Sequence, residues 1–197
     1  MIRHLVFDVG GVLLDYTWSQ MLAEFGMPKD ECEIFDRFVL RSPCWSMLDL
    51  GFLSFEDVRK DLKLMYPQYA DALDYVLGKP ERMPVPRPRV EARIRELKAK
   101  GYDVYLLSNY SEFLFNTHAA QAHFLDLVDG AVISYEVHTM KPEPRIYETL
   151  LQKYDLDPKE CMFFDDKPEN VEAAVALGFE GGVITSEERL LELLEDY

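Results

Sequence analysis

Polar side chains stand directly after several apolar runs of this sequence, and their types suit phosphate and metal-ion chemistry. Asp8 follows the apolar run 5–7 and precedes the pair Gly10-Gly11, where backbone can turn tightly or approach a ligand. Similar positions later in the chain carry Ser108, Asn109, Lys141, Asp165 and Asp166. If the runs are strands of one parallel sheet, these side chains meet at the edge where α/β proteins bind ligands.

Together these groups suit phosphoryl transfer to a carboxylate. Asp8 can attack phosphorus in line and form an aspartyl-phosphate, which water then hydrolyses. Oxygen ligands from Asp8 and Asp166, with a backbone carbonyl and waters, describe a Mg²⁺ site, and no cluster of His and Cys competes for that role. The Ser108 hydroxyl, a backbone N–H near Asn109 and the Lys141 ammonium can hold the phosphate oxygens.

Each of these residues alone has a simpler interpretation as a helix cap or a surface charge. Two features favour a site instead. Lys141 precedes a predicted helix, where a cation faces the positive end of the helix dipole. The adjacent carboxylates of Asp165 and Asp166 repel each other unless a cation lies between them and Asp8. The ordered set therefore predicts a functional site.

The elements that must position these side chains alternate between strand and helix. Apolar runs predict strands over 5–7, 102–107, 131–134, 161–164 and 182–185, and helical patterns over 90–100, 111–122, 144–154 and 170–177 separate them. This alternation predicts an α/β fold, with a parallel Rossmann-like sheet that has helices on both faces.

Residues 16–79 interrupt this alternation, because their apolar spacing is helical throughout. The pattern predicts four short helices, the third of which begins at Ser54. We therefore expect a core domain formed by residues 1–15 and 80–197, and a small helical-bundle cap formed by residues 16–79 and inserted after the first strand.

Composition excludes some partners. The 36 acidic and 21 basic residues give a net charge of −15, which argues against binding to nucleic acid or to an anionic membrane surface. No apolar run approaches the length of a membrane span, and no charged-then-apolar leader precedes the first strand. Three widely spaced cysteines suit reduced thiols, so we expect a cytoplasmic protein.

Four stretches, in this order and spacing, resemble the motifs of the haloacid dehalogenase-like hydrolase superfamily: FDVGGVLLD, LLSN, KPEPRIY and FFDDKPENVEAA. The helical insertion resembles the cap of subfamily I, and the Gly10-Gly11 pair resembles a branch that includes sugar-phosphate phosphatases. The resemblance implies that Asp8 is the nucleophile, that Ser108 and Asn109 bind phosphate and that Lys141 is the third-motif cation. It further implies that Asp165 and Asp166 are the metal-site acids, with Asp166 the more direct ligand.

Position 10 departs from the family pattern. Most phosphatases of the family carry an aspartate there, whose carbonyl binds the metal and whose carboxyl transfers protons. Gly10 keeps the carbonyl but has no carboxyl, a loss of about 10²–10⁴-fold in rate for a poor leaving group. Asp15, or a residue that the cap brings over the site, such as Asp49 or His118, could take over this role. A sugar 1-phosphate or an acyl phosphate would depend on it less.

Three function classes follow from the sequence. The first is a Mg²⁺-dependent phosphatase that acts on a small phosphorylated metabolite. The second is a phosphate-binding or regulatory protein that has lost turnover. The third is a haloacid dehalogenase, which would give the Asp165-Asp166 pair no purpose. Aromatic residues of the cap are expected either to line the substrate pocket or to form the bundle's own core; they are Tyr16, Trp18, Trp45 and Phe52.

Overall fold

The computed structural model of the protein describes residues 1–119 and 122–197. These residues form the strands β1 (His4–Phe7), β2 (Leu14–Tyr16), β3 (Pro84–Pro86), β4 (Asp103–Ser108), β5 (Gly130–Ile133), β6 (Cys161–Asp165) and β7 (Glu180–Val183). Five of them build one sheet in the order β5-β4-β1-β6-β7, and every pairing in it is parallel. The predicted α/β fold is confirmed.

Eleven α-helices lie in the described residues: α1 (Trp18–Phe25), α2 (Lys29–Phe35), α3 (Pro43–Asp49), α4 (Phe55–Met65), α5 (Ala70–Leu77), α6 (Pro88–Ala99), α7 (Glu112–Ala119), α8 (Ser134–Val137), α9 (Pro144–Tyr154), α10 (Pro168–Ala176) and α11 (Glu187–Leu194). A π-helical turn covers Asp36–Leu40, and 3₁₀ turns cover Pro67–Tyr69, Pro80–Arg82, His123–Leu127 and Pro158–Glu160. No helix among the described residues is both long and apolar enough to cross a bilayer.

The central strand β1 is buried on both faces, as a parallel strand between two helical layers must be. Leu5 and Phe7 point to one side, where they join the core formed with α6 and α11, while Val6 points to the other, towards α9 and α10. Because strands β4 and β6 flank β1 in register, the carboxyl ends of all three strands meet at one edge.

The segment 16–79 folds as a helical unit on this edge, and it contains five α-helices rather than the predicted four. Helix α4 begins where the sequence predicts, because the Ser54 hydroxyl accepts a hydrogen bond from the N–H of Asp57 at 3.1 Å. Helix α3 was not predicted. Its apolar residues pack into the same core as the Leu5 face of the sheet, so the helical unit rests directly on the core.

A two-stranded antiparallel ribbon, β2 with β3, carries the chain out to the helical unit and back. Arg87 fixes its base: its guanidinium donates to both carboxylate oxygens of Asp15, at 3.0 and 2.5 Å, and to the carbonyl of Val12 at 2.9 Å. The sequence did not predict this ribbon. Positions 120 and 121, at the end of the helix predicted over 111–122, lie outside the described residues.

Candidate active site

Asp8 lies at the carboxyl end of β1, where its backbone N–H donates to the carbonyl of Phe164 at 2.9 Å. Its side chain is buried, and its Oδ1 accepts three hydrogen bonds. The donors are the N–H of Val9 at 2.7 Å, the Ser108 hydroxyl at 2.6 Å and the Lys141 ammonium at 2.9 Å. Three donors on one oxygen fix the orientation of this carboxylate.

Lys141 bridges two acidic residues inside the protein. Its Nζ, almost fully buried, lies 2.9 Å from Asp8 Oδ1 and 2.5 Å from Asp165 Oδ2. Burial by itself lowers the pKa of Lys141, but the charges of Asp8 and Asp165 outweigh it and hold the pKa above its ordinary value. The side chain therefore stays an ammonium beside Asp8 across the physiological pH range.

Asn109 holds the backbone of Lys141 from across the sheet edge. Its Nδ2 donates to the Lys141 carbonyl at 2.9 Å, and its Oδ1 accepts from the Lys141 N–H at 2.8 Å. Both ends of the amide are therefore occupied in this structure. The side chain ties the end of β4 to the loop before α9.

Asp165 is fully engaged by hydrogen bonds. Its Oδ2 accepts from Lys141, while its Oδ1 accepts from the N–H of Lys167 at 2.8 Å and from Asn170 Nδ2 at 2.9 Å. The contact with Lys167 satisfies a backbone donor at the start of α10, where such donors lack partners within the helix. Asp165 thus positions Lys141 and the loop that carries Asp166.

Three carboxylates crowd this edge: one oxygen each from Asp8, Asp165 and Asp166 lies within 4.8 Å of the others. Burial first, and then the charge of Asp8, raise the pKa of both Asp165 and Asp166. A bound cation would relieve this repulsion, and hard oxygen donors suit Mg²⁺. The residues present therefore fit the predicted metal. A role for the Gly10 carbonyl stays a prediction.

The loop after β1 approaches the acidic cluster closely. Gly11 has φ +70°, a conformation that favours glycine, and a Cβ there would lie 2.9 Å from Asp166 Cγ. At Gly10 the crowding has another source. A Cβ would lie 2.9 Å from Cε2 of Tyr16 and 3.0 Å from its hydroxyl oxygen. The phenol of Tyr16 fills the space beside position 10.

A cavity of about 310 Å³ opens next to this edge. Tyr16, Trp18 and Trp45 form part of its wall, and the two Trp rings meet edge to face at 6.0 Å. Three of the four aromatic residues singled out from the sequence therefore line the cavity. Phe52 does not: it is exposed, stacks on His138 and lines a different surface pocket.

A chain of hydrogen bonds runs away from the cavity wall. The Tyr16 hydroxyl contacts that of Tyr110 at 2.7 Å, Tyr110 contacts His118 Nδ1 at 2.5 Å, and His118 Nε2 lies 2.9 Å from the Pro80 carbonyl. Because a carbonyl only accepts, Nε2 carries the proton, Tyr110 donates to Nδ1 and Tyr16 donates to Tyr110. Burial lowers the pKa of His118 to about 4, so the ring is neutral.

The three residues offered as substitutes for a carboxyl at position 10 have different surroundings. Asp15 is bound by Arg87 at the base of the ribbon. His118 lies on α7 and not in the segment 16–79, so its description as a cap residue was wrong. Asp49 ends helix α3 and lines the cavity together with Asn109 and Lys167. Tyr110 also lines this cavity, and no motif in the sequence indicated it.

The family model for haloacid dehalogenase-like hydrolases matches residues 2–178. This chain belongs to the haloacid dehalogenase-like hydrolases. The predicted superfamily is confirmed, and the match spans the strands that carry Asp8, Ser108 and Asp165 as well as the inserted helices. Three of the four motifs of this hydrolase thus lie at strand ends that meet in the structure, and the third, with Lys141, lies in the loop before α9.

Relatives of this hydrolase include phosphatases. A sesquiterpene phosphatase of Aspergillus oryzae is 29% identical over 176 residues, which cover 89% of this chain and 86% of the relative. A D-ribitol-5-phosphate phosphatase of Bacteroides thetaiotaomicron is 26% identical over 208 residues, covering 91% and 90%. A haloacid dehalogenase-like enzyme of the same organism, solved with magnesium and inorganic phosphate, shares the fold with a TM-score of 0.71 at 24% identity, covering 93% and 94%.

Proposed function

We propose that this hydrolase is a Mg²⁺-dependent phosphatase that hydrolyses a small phosphomonoester through an aspartyl-phosphate. The observation that carries the proposal is the convergence of Asp8, Lys141 and Asp166 at one sheet edge, beside a cavity. The Asp8 carboxylate is available as nucleophile, the buried Lys141 ammonium faces it, and the Asp166 carboxylate can share a cation with Asp8. This combination suits phosphoryl transfer.

Asp8 attacks phosphorus with a carboxylate oxygen, and Val9, Ser108 and Lys141 keep the carboxylate oriented. The ester bond breaks, and the phosphoryl group passes to the carboxylate. Water then attacks the same phosphorus and releases inorganic phosphate, which restores Asp8. The Lys141 ammonium and a backbone N–H near Asn109 stabilise the charge on the phosphoryl oxygens, while the Ser108 hydroxyl donates to Asp8 Oδ1.

A divalent cation would be held by Asp8 and Asp166, with the carbonyl of Gly10 as a further ligand. Asp165 belongs to the same acidic cluster, but its oxygens already accept hydrogen bonds, so we assign it mainly to positioning. When bound, the cation supplies charge neutralisation between the attacking carboxylate and the phosphate. The loop at Gly11 passes close to Asp166, since a Cβ there would lie 2.9 Å from Asp166 Cγ.

The inserted segment supports the proposed class of substrate. We assign residues 16–79 as a cap of the subfamily I type on a core of residues 1–15 and 80–197. The cavity next to the sheet edge is walled by Tyr16, Trp18 and Trp45 from this cap and its ribbon. Such a wall suits a small phosphorylated metabolite, for instance a sugar phosphate, whose rings or carbon chain pack on aromatic faces. The named phosphatase relatives support the same reaction class.

The test is phosphate release from p-nitrophenyl phosphate, acetyl phosphate, glucose 1-phosphate and glucose 6-phosphate, with and without Mg²⁺, for wild type and Asp8→Asn. We expect turnover that requires Mg²⁺ and that disappears in the variant. Asp155→Asn, at a turn remote from the sheet edge, is the matched control and keeps wild-type activity. Phosphate binding without any Asp8-dependent turnover would instead identify a binding or regulatory protein.

A further inference from the structure

The leaving oxygen of a sugar or alkyl phosphate needs a proton as its bond to phosphorus breaks. The groups nearest the reacting carboxylate do not supply it. Lys141 is bound to both Asp8 and Asp165, and Asp165 accepts hydrogen bonds on both oxygens. A proton donor must therefore come from the cavity side of Asp8.

Position 10 offers no room for such a donor, because the phenol of Tyr16 occupies the space beside Gly10. Tyr16 itself is not the donor. The Pro80 carbonyl fixes the direction of the chain through His118 and Tyr110, so the hydroxyl proton of Tyr16 points to Tyr110 and its oxygen accepts from the cavity. Tyr16 can hold a water or a hydroxyl in place.

Two carboxyl groups line this cavity, those of Asp36 and Asp49, and the charge of Asp8 reaches Asp49. Its cavity neighbours include Asn109, which follows Ser108, and Lys167, which follows Asp166. Its backbone carbonyl accepts from the Ser134 hydroxyl at 2.5 Å, and the nearby backbone of Ser111 acts to lower the pKa of its carboxyl. Ser134 and Ser111 both lie outside the segment 16–79, so the core holds the end of α3 against the cavity that Asn109 and Lys167 also line.

We propose that Asp49 is the general acid and base of the phosphatase reaction, in the role for which position 10 has no carboxyl. The inference rests on the proposed function. As the bond between phosphorus and the leaving oxygen breaks, its electron pair takes the proton of the Asp49 carboxyl, and the alcohol leaves. Water then attacks the aspartyl-phosphate and gives a proton back to the Asp49 carboxylate. The bond from phosphorus to Asp8 breaks, and inorganic phosphate departs.

The surroundings of Asp49 suit this exchange. Burial, and to a smaller extent the charge of Asp8, raise its pKa to about 7 although the Lys167 ammonium opposes them. A group with this pKa can both give and take a proton near neutral pH. The other titratable side chains that line the cavity with Asp49 are Tyr16, Asp36, Arg41, Tyr110, His118 and Lys167.

The test compares Asp49→Asn with wild type on two substrates that differ in the leaving group. With glucose 6-phosphate, a poor leaving group, we expect kcat/KM to fall by about 10²–10⁴-fold. With p-nitrophenyl phosphate, whose leaving group needs no proton, we expect a loss of less than about tenfold, because the same step no longer depends on an acid. Asp71→Asn, an exposed change of the same kind on α5, is the control and leaves both values unchanged.

The pH profile gives a second readout. In wild type, kcat/KM for glucose 6-phosphate falls as the pH rises through about 7, because Asp49 must be protonated to act as the acid. In Asp49→Asn we expect no such fall of kcat/KM as the pH rises through about 7. The asparagine keeps the backbone carbonyl that accepts from Ser134, so the fold is retained, which circular dichroism checks.

Two outcomes would overturn the inference: equal losses on both substrates with an unchanged pH profile, or a leaving-group-dependent loss in Tyr16→Phe and not in Asp49→Asn. Failure of the proposed function looks different, because wild type would then show no Asp8-dependent turnover on any substrate.

Discussion

Gly11 shows how little space separates the loop after β1 from the acidic cluster. Its positive φ would strain any other residue, and a Cβ would also press on Asp166. Gly101 shares the positive φ, at +97°, but a Cβ there would meet nothing within 4 Å. Replacing Gly101 therefore tests backbone strain alone, whereas replacing Gly11 tests strain together with crowding of Asp166.

We expect Gly11→Ala to lower the affinity for Mg²⁺ and with it the rate of phosphate release at limiting Mg²⁺, because Asp166 must move. Gly101→Ala should lower the free energy of unfolding by about 1 kcal/mol through strain, with no change in Mg²⁺ affinity. Calorimetric titration with Mg²⁺ and urea unfolding measure the two effects. A similar loss of Mg²⁺ affinity in both variants would contradict the crowding of Asp166.

At the scale of elements, the end of α3 is where the segment 16–79 contacts α8. The last carbonyls of a helix lack partners within it. Here the Ser134 hydroxyl donates to the Asp49 carbonyl at 2.5 Å, and His138 Nδ1 donates to the Leu50 carbonyl at 2.8 Å. Gly51 follows so closely that a Cβ would lie 2.7 Å from the Tyr135 carbonyl. Residues at both ends of α8 thus supply partners for the last carbonyls of α3.

Ser134→Ala removes the donor to Asp49 and also the oxygen that accepts from the Tyr110 N–H at 2.9 Å. Because both groups are left without their partner, we expect the free energy of unfolding to fall by about 1–3 kcal/mol. Amide hydrogen exchange should become faster in α3 than in α9. Ser19→Ala, exposed on α1, is the control and should change neither quantity. Unchanged exchange in α3 would refute the assigned contact.

At the scale of the whole molecule, the acidic cluster couples metal binding to stability. Three crowded carboxylates oppose folding, and a cation that binds only the folded protein stabilises it. At a concentration of 100 times the Kd the gain is about 2.7 kcal/mol. For a chain of this size each kcal/mol raises the Tm by about 2–4 °C.

We therefore expect Mg²⁺ to raise the Tm by about 5–11 °C in wild type. Asp166→Asn should abolish most of this rise and should raise the Tm without Mg²⁺, because it relieves the repulsion that raises the pKa of the cluster. Asp196→Asn, an exposed change near the end of the chain, should keep the full response. Differential scanning calorimetry at matched ionic strength gives both values, and an equal response in all three proteins would exclude a cation at this edge.

Much of this molecule could be predicted from its sequence, because the signal was local. The buried runs around β1 and β6 are apolar without interruption, and the polar residues after them mark the strand ends. The ribbon and α3 lacked such a signal. Each strand of the ribbon has three residues, Pro84 and Pro86 among them, and α3 has only seven residues. They form because tertiary contacts such as Arg87 with Asp15 hold them.

The candidate site could be predicted from the sequence only in part. The set of polar residues at the sheet edge follows from topology, so Asp8, Lys141 and Asp166 were within reach. The residues that face the site from the cavity could not be predicted in this way. Which face of α3 meets the core, and where the phenol of Tyr16 lies, depend on packing between segments that are far apart in sequence.

The phenol of Tyr16 also restricts how this family member can change. Since it fills the space beside Gly10, an aspartate introduced at position 10 alone would clash with the ring. Shortening Tyr16 alone would break the hydrogen bond to Tyr110 and still supply no carboxyl. Each single step is unfavourable and only the pair makes room for an acid, so positions 10 and 16 are epistatic. Evolution from Gly10 to an aspartate at this position would therefore have to pass through an unfavourable single variant or change both residues together.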